Sequence, residues 1–319
     1  MKMRPAQPVL GVALIVGSVF LMSFGDALIK YNSASFTAWQ IFSLRSIVVL
    51  PILVTLMVIL APRQSLLPKS PGWVGLRSAL LVLMWVAYYA ALPLISLSAA
   101  AVAFYTAPLF MALLSRPLIG EPVGPTRWLG IVLGFVGVLI VLRPGGDTFS
   151  VATLLPVLAA VLYALAAIVT RARCADERPL VLALGLNIGL LAAGLIATLG
   201  LWLIRPDTAS VADHPFLFGP WAAMGGREWA LMALLALLMV AFGTGVAMAY
   251  QIAPAPLIGT FDYSYVLFAV IWSYALFAER PDAVAVAGLA LIAAAGILVA
   301  GRPHGRGLRP APAATGGER

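Results

Sequence analysis

The sequence predicts an all-α polytopic membrane protein, with ten transmembrane helices arranged as two inverted five-helix repeats. Three observations carry this expectation: the composition, ten apolar stretches separated by turn chemistry, and a resemblance between the two halves of the chain. Of 319 residues, 62% are apolar and 10% charged, and the mean hydropathy is +1.03. A soluble domain is roughly half apolar and about a quarter charged. A helix that crosses a bilayer needs about 20 apolar residues, so ten would take about 200 positions. That is close to the whole apolar share of this chain. A soluble enzyme, a disordered protein and a nucleic-acid-binding module are therefore disfavoured. The pI near 10.0 and net charge of +8 come from basic residues too few and too scattered to track phosphates. No disulfide, metal or cofactor is expected. Cys174 is the single cysteine, and the two histidines, His214 and His304, fall in polar segments.

The apolar stretches run over 9–29, 37–60, 73–97, 99–118, 128–142, 151–170, 179–203, 229–252, 256–277 and 282–300. The first has a basic start like a signal peptide, yet no small-x-small cleavage site precedes Asp26 and nine further spans follow, so it reads as a membrane helix. The fifth is short and must take in flanking residues. The joints carry APRQSLLPKSPG after the second span, RPGGD after the fifth and ERPD before the tenth. Residues 301–319 read as a disordered tail. The loop from Arg205 to Glu228, with HPFLFGPW, is an elaboration between the seventh and eighth spans.

Basic residues stay on the cytoplasmic side of a membrane. With both termini cytoplasmic, fourteen Lys and Arg fall inside and five outside. Arg77 and Arg116 are counted inside because they sit at the cytoplasmic ends of their spans, and Arg45 lies deep within the second span. The predicted location is the cell inner membrane, multi-pass. Cys174 then lies in the cytoplasmic RARCADER segment, where a lone thiol stays reduced. The basic loops set topology and meet anionic lipid headgroups.

The halves align at a constant offset of 158 residues. LFMALLSRPLIGEP from Leu109 meets LFAVIWSYALFAER from Leu267, which pairs Tyr105 with Tyr263, Ser115 with Ser273, Glu121 with Glu279 and Gly130 with Gly288. Five spans per half is odd, so the halves, residues 9–142 and 151–300, insert with opposite orientation. Secondary transporters use such repeats to exchange inward and outward openings around one central site. The stretch YYAALPLISLSAAAVAFYTAPLFMALLSRPLIGEP resembles the first half of EamA-type transporters of the drug/metabolite transporter superfamily, and AYQIAPAPLIGTFDYSYVLFAVIWSYALFAERP resembles their second half. The resemblance implies a ten-helix bundle that carries a small organic metabolite through a central cavity by alternating access. The family spans amino-acid exporters, vitamin and nucleoside carriers and S-adenosylmethionine uptake systems, so it does not fix the cargo. The early GDALIK with an arginine in the second span resembles the vitamin and S-adenosylmethionine uptake branches.

Three charged residues read as intramembrane, Asp26, Arg45 and Asp262, while Arg77, Arg116 and Asp282 sit at the membrane edges of their spans. A charge at the bilayer centre costs at least ~2.5–3.5 kcal/mol, so it faces a wet cavity or a partner. Arg45 lies ~12 Å from the outer face and Asp26 only ~5 Å. An Asp26–Arg45 ion pair is geometrically open, as is an interfacial Asp26 paired with Lys30 at i, i+4. Snorkelling does not bring Arg45 to the surface, so it is expected to line the cavity, holding an anionic group or pairing with Asp26 or Asp262. Asp262, in FDYSY, is a position where family members often carry an acid; it would bind a cationic group or carry a coupling proton, or else cap its helix. Aromatic faces suit a planar or cationic cargo. From Trp85, Tyr88, Tyr89, Tyr105, Tyr263 and Tyr265, the expected cavity set keeps Trp85, Tyr89, Tyr105 and Tyr263, with Thr106 as a neutral partner. Pro93, Pro108 and Pro256 bend helices or free carbonyls. The GxxxG spacings at Gly130–Gly134 and Gly185–Gly189 favour close helix packing.

The function these features support is secondary transport of an amino-acid-, vitamin- or nucleoside-like metabolite. A membrane-embedded enzyme is the alternative, or a non-transporting scaffold. Catalysis is not expected: no span holds a histidine, Asp26 and Asp262 lie near opposite faces, and no Walker-type phosphate loop occurs. The expected partners are the metabolite and membrane lipid, and not nucleic acid; a coupling proton and a homodimer stay open.

Overall fold

A computed structural model describes residues 8–60, 66–119, 125–142, 150–174, 176–252, 261 and 264–300. Among them every regular element is helical. Six helices are long and apolar enough to cross a membrane, and two shorter apolar helices accompany them. The chain is a polytopic, all-helical membrane protein.

Helix α1 (Pro8–Tyr31) opens on a proline, where the missing N–H costs nothing. It is followed by α2 (Ala38–Leu60) and α3 (Pro71–Ala91). The third span ends at Ala91 and not at 97: Leu92 keeps helical backbone angles, but its amide closes a tighter turn onto the Tyr89 carbonyl, and Pro93 has no N–H to continue the ladder. The fourth span, expected as one helix over 99–118, is two: α4 (Leu97–Phe104) and α5 (Ala107–Ile119). Pro108 cannot donate to the Phe104 carbonyl, and the ladder breaks in the preceding turn. The Tyr105 amide bonds back to Ala101 and Ala103, and the Thr106 hydroxyl takes the Ala103 carbonyl at 2.7 Å. Ser96 caps α4 by accepting from the Ala99 amide at 3.1 Å.

Helix α6 (Pro125–Leu142) does take in residues before the fifth apolar stretch. A single 3-10 turn leads into α7 (Leu154–Arg173), followed by α8 (Pro179–Ile204). Arg205, at a φ of 50°, ends α8 in the left-handed region. The long loop then forms two short helices, α9 (Thr208–Asp213) and α10 (Pro215–Phe218). Next come α11 (Gly226–Ile252), α12 (Ser264–Phe277) and α13 (Ala283–Ala300). Glu228 reaches back to the Gly225 amide at 2.9 Å, half of a capping box at the start of α11.

The principal neighbours are α1 with α11 and α12, α2 with α8 and α11, α3 with α7 and α8, α5 with α7, α4 with α12, and α6 with α13. Exchanging α1 for α7, α2 for α8, α3 for α11, α4–α5 for α12 and α6 for α13 maps each of these pairings onto itself or onto another of them. Small residues make the closest approaches. A Cβ on Gly137 would sit 2.9 Å from the Gly288 carbonyl, and one on Gly185 3.1 Å from Val74. Gly134 and Gly189 pack against Leu109 and Val82, so the GxxxG positions described serve packing. Outside, Ile196, Leu199 and Leu203 are exposed, as a lipid-facing surface requires.

Cys174 follows α7 and is 2% exposed. Burial pushes its thiol above the usual range, against the pull of the Arg77 guanidinium. The reactive thiolate is therefore scarce at neutral pH. A maleimide should modify the folded protein at pH 7 at least tenfold more slowly than the detergent-unfolded chain; equal rates would contradict this burial.

Candidate functional site

The centre of the bundle is polar and tyrosine-rich. Asp26 and Arg45 are each 2% exposed, although they lie on different helices. Asp26 accepts the Tyr265 hydroxyl at 2.6 Å and the Tyr89 hydroxyl at 3.4 Å. Tyr265 in turn shares a hydrogen bond of 2.9 Å with Tyr88. Arg45 Nη1 donates to the Tyr89 hydroxyl at 3.3 Å. Carboxylate and guanidinium are therefore joined through Tyr89, and not by the direct ion pair that the sequence leaves open. Four elements meet here: α1, α2, α3 and α12.

The aromatic neighbours hold these hydroxyls in place. Tyr105, at the break between α4 and α5, stacks on Tyr265 with centroids 5.1 Å apart. Trp85 meets Tyr89 edge-on at 5.0 Å, and Phe42 lies 5.5 Å from Tyr89 and 5.9 Å from the Arg45 guanidinium. Such pairs contribute ~0.5–1.5 kcal/mol each beyond their burial. Trp85, Tyr89, Asp26 and Arg45 share a cleft with Leu235, Met239 and Phe242 of α11. The cleft is open on one side, and about 310 Å³ of unfilled space lies in it and at its mouth together.

Of the expected cavity residues, the structure brings Asp26, Arg45, Trp85 and Tyr89 to this cleft. Tyr105 stands behind it, in contact with Tyr265, and Thr106 spends its hydroxyl on the helix break. Asp262 and Tyr263 lie outside the described residues, as do Glu121 and Pro256. Tyr88 and Tyr265 are members of the network that the expected cavity set omits. The available signal is chemical: a buried carboxylate needs donors, and a tyrosine hydroxyl in an apolar helix needs an acceptor.

Lys30 does not pair with Asp26. Its ammonium lies 3.2 Å from the Glu279 carboxylate, donates to the Ile95 carbonyl and sits 5.0 Å from the Phe277 ring centre. Glu279 also accepts the Ser273 hydroxyl. These contacts tie the end of α1 to the end of α12 and to the α3–α4 turn. On the same end, the long loop docks onto α2. Gln40 accepts from the Ala222 amide at 2.8 Å and donates to its carbonyl at 2.9 Å, Trp39 donates to Leu217 at 2.7 Å, and Phe216 is buried. At the opposite end, Glu177 accepts the Ser70 amide at 2.7 Å, and Arg77 donates to Thr170 at 2.8 Å and to the Leu182 carbonyl at 3.2 Å. Both ends of the bundle are thus tied across helices, with the cleft between them. Among the described residues no cluster of His, Cys, Asp and Glu fit for a metal occurs.

Residues 9–143 match the EamA-like transporter family. A riboflavin transporter of Rhizobium johnstonii is 30% identical over 73% of this chain and 70% of its own length. A riboflavin transporter of Vibrio cholerae is 27% identical over 86% of this chain and 90% of its own. An S-adenosylmethionine uptake transporter of Rickettsia prowazekii is 23% identical over 91% of this chain and 92% of its own. One crystal structure of a protein superposes with a TM-score of 0.57 at 19% identity, covering 89% of this chain and 96% of that one, a likeness of fold.

Proposed function

The chain belongs to the EamA-like transporter family, and from that premise we propose that it moves a vitamin- or nucleoside-like metabolite across the inner membrane by alternating access. The relatives are named as carriers of small molecules, and the chain is a small-metabolite transporter of the same kind. The observation that carries the finer reading is the Asp26–Tyr265 hydrogen bond beside an aromatic cleft. It joins residues 239 positions apart, one in each half of the chain, as a cargo site at the interface of two repeats would. Asp26, Arg45, Tyr89 and Trp85 are the residues we assign to the cargo, with Tyr265 and Tyr88 positioning Asp26.

Two further features support the reading. The helix pairings map onto themselves under exchange of halves, as two inverted repeats over 9–142 and 151–300 require. The broken fourth span places Tyr105 against the network, and discontinuous helices recur at transporter binding sites. With both termini cytoplasmic, the Lys30–Glu279 tie lies on the outer face and the Glu177–Ser70 tie on the inner face. Rocking one group of helices against the other would open one end while the opposite tie holds.

Counterflow in proteoliposomes tests the proposal. Vesicles loaded with unlabelled riboflavin, or in parallel with S-adenosylmethionine, should accumulate labelled substrate above its equilibrium level for at least one cargo. The label should be recovered chemically unchanged. Correctly folded, reconstituted protein that exchanges neither cargo, or that returns an altered compound, would count against it.

A further inference from the structure

The sequence places a cation in the cleft; the structure shows which part of it is free. Arg45 Nη1 is held by Tyr89. Arg45 Nε and Nη2 are buried and have no hydrogen-bond partner among the described residues. Those two nitrogens form the side-on edge of the guanidinium, whose parallel N–H bonds match a flat group with two adjacent acceptors. Asp26 does not fill that edge, because its carboxylate already accepts from Tyr265 and Tyr89 and meets Arg45 only through the Tyr89 hydroxyl.

We propose that the Nε–Nη2 edge of Arg45 selects the cargo by a planar group carrying two coplanar acceptors, on an aromatic or heteroaromatic body. A carboxylate supplies such a pair, and so does a heterocycle with a carbonyl oxygen next to an unprotonated ring nitrogen. The inference rests on the transport reading and narrows it to a class of substrate. Three features fix the geometry. Tyr89 pins one corner of the guanidinium, so the free edge keeps a single orientation. The Phe42 ring lies 5.9 Å from the guanidinium carbon and limits its tilt. Trp85 and Tyr89, whose ring centres lie 5.0 Å apart, line the cleft with aromatic side chains, and Leu235, Met239 and Phe242 add its apolar lining. A lysine at position 45 would keep the positive charge but lose the fork, presenting a point donor instead of two parallel bonds.

The test uses the full chain in lipid nanodiscs and reads binding by quenching of tryptophan fluorescence. The probes are 2-naphthoate, its uncharged counterpart 2-naphthamide, and riboflavin. Wild-type protein should prefer naphthoate over naphthamide, or bind riboflavin, by at least tenfold against the amide. Arg45→Lys should weaken whichever acceptor-bearing probe binds by at least tenfold while leaving naphthamide within twofold. Loss confined to naphthoate identifies a carboxylate cargo, loss confined to riboflavin a heterocycle, and either result supports the proposal. Arg45→Lys binding both probes within twofold of wild type would overturn it. Should that variant fail to fold, the wild-type comparison still decides, since equal affinity for all three probes also overturns it. Counterflow of some cargo alongside such a result would leave the transport reading standing. Absence of counterflow for every cargo tried removes that reading and the inference with it.

Discussion

Asp26→Ala is expected to reduce transport by a hundredfold or more. The substitution removes the acceptor for two tyrosine hydroxyls on different helices, Tyr265 and Tyr89. The short bond from Tyr265 contributes ~1.5–3 kcal/mol, and the 3.4 Å bond from Tyr89 adds less. It also removes the carboxylate that stands one tyrosine hydroxyl away from the buried Arg45 guanidinium, which adds an electrostatic cost to the lost hydrogen bonds. Some of that loss will show as lower abundance in the membrane, so abundance and transport have to be separated. The double variant Asp26→Asn with Arg45→Gln removes both charges and keeps hydrogen-bonding groups in both places. Its abundance and melting temperature should recover toward wild type, because no uncompensated charge remains and neighbouring sites couple. Its transport should stay at background. A double variant that transports at the wild-type rate would show that the pair is a structural element and not part of the cargo site.

That separation matters because so much of this site is hidden from a linear reading. The polytopic, all-helical character is legible: the order of the apolar helices and most of their ends follow from hydropathy and punctuation. The orientation of each helix is not. Several helices are apolar all round, so no polar stripe marks which face turns inward. In α1 the only strong cue is Asp26 itself, and its companion Lys30, one turn on, turns instead to Glu279. Arg45 is legible because an arginine too deep to snorkel demands an explanation. Its geometry is not, since Tyr89 intervenes between it and Asp26.

The two tyrosines that complete the network show the same limit. Tyr88 and Tyr89 are adjacent, and only the helix rotation decides that Tyr89 reaches Arg45 while Tyr88 meets Tyr265. The sequence marks Tyr105 for a cavity, and its actual place follows from Pro108. By breaking the fourth span, the proline leaves Tyr105 at the joint, where its ring stacks on Tyr265. The proline is visible in the sequence; the ring it supports is not. Long-range tyrosine–carboxylate contacts are set by packing between helices, and no local pattern records them.

Gly194→Leu is expected to act on the same site from behind. A Cβ at Gly194 would collide with the Ser43 hydroxyl and lie 2.7 Å from the Trp39 carbonyl and 3.1 Å from the Ser43 amide. The hydroxyl can rotate away, but backbone atoms of α2 cannot, so α2 and α8 must separate. Overpacking of this kind costs ~1–3 kcal/mol, and the bulk of leucine puts the expected loss at the upper end. The displaced segment also carries Gln40, which holds the long loop, and Arg45, two residues past Ser43. Ångström-scale displacement of a positioned group can cost about a hundredfold in rate, so transport should fall by about tenfold or more beyond any loss of folded protein. Gly200 lies on the same helix, and a Cβ added there would meet nothing within 4 Å. Gly200→Leu should leave both melting temperature and transport near wild type, and Gly194→Ala should fall between the two. If Gly194→Leu and Gly200→Leu behave alike in a melting series and in counterflow, the α2–α8 contact does not set the position of Arg45.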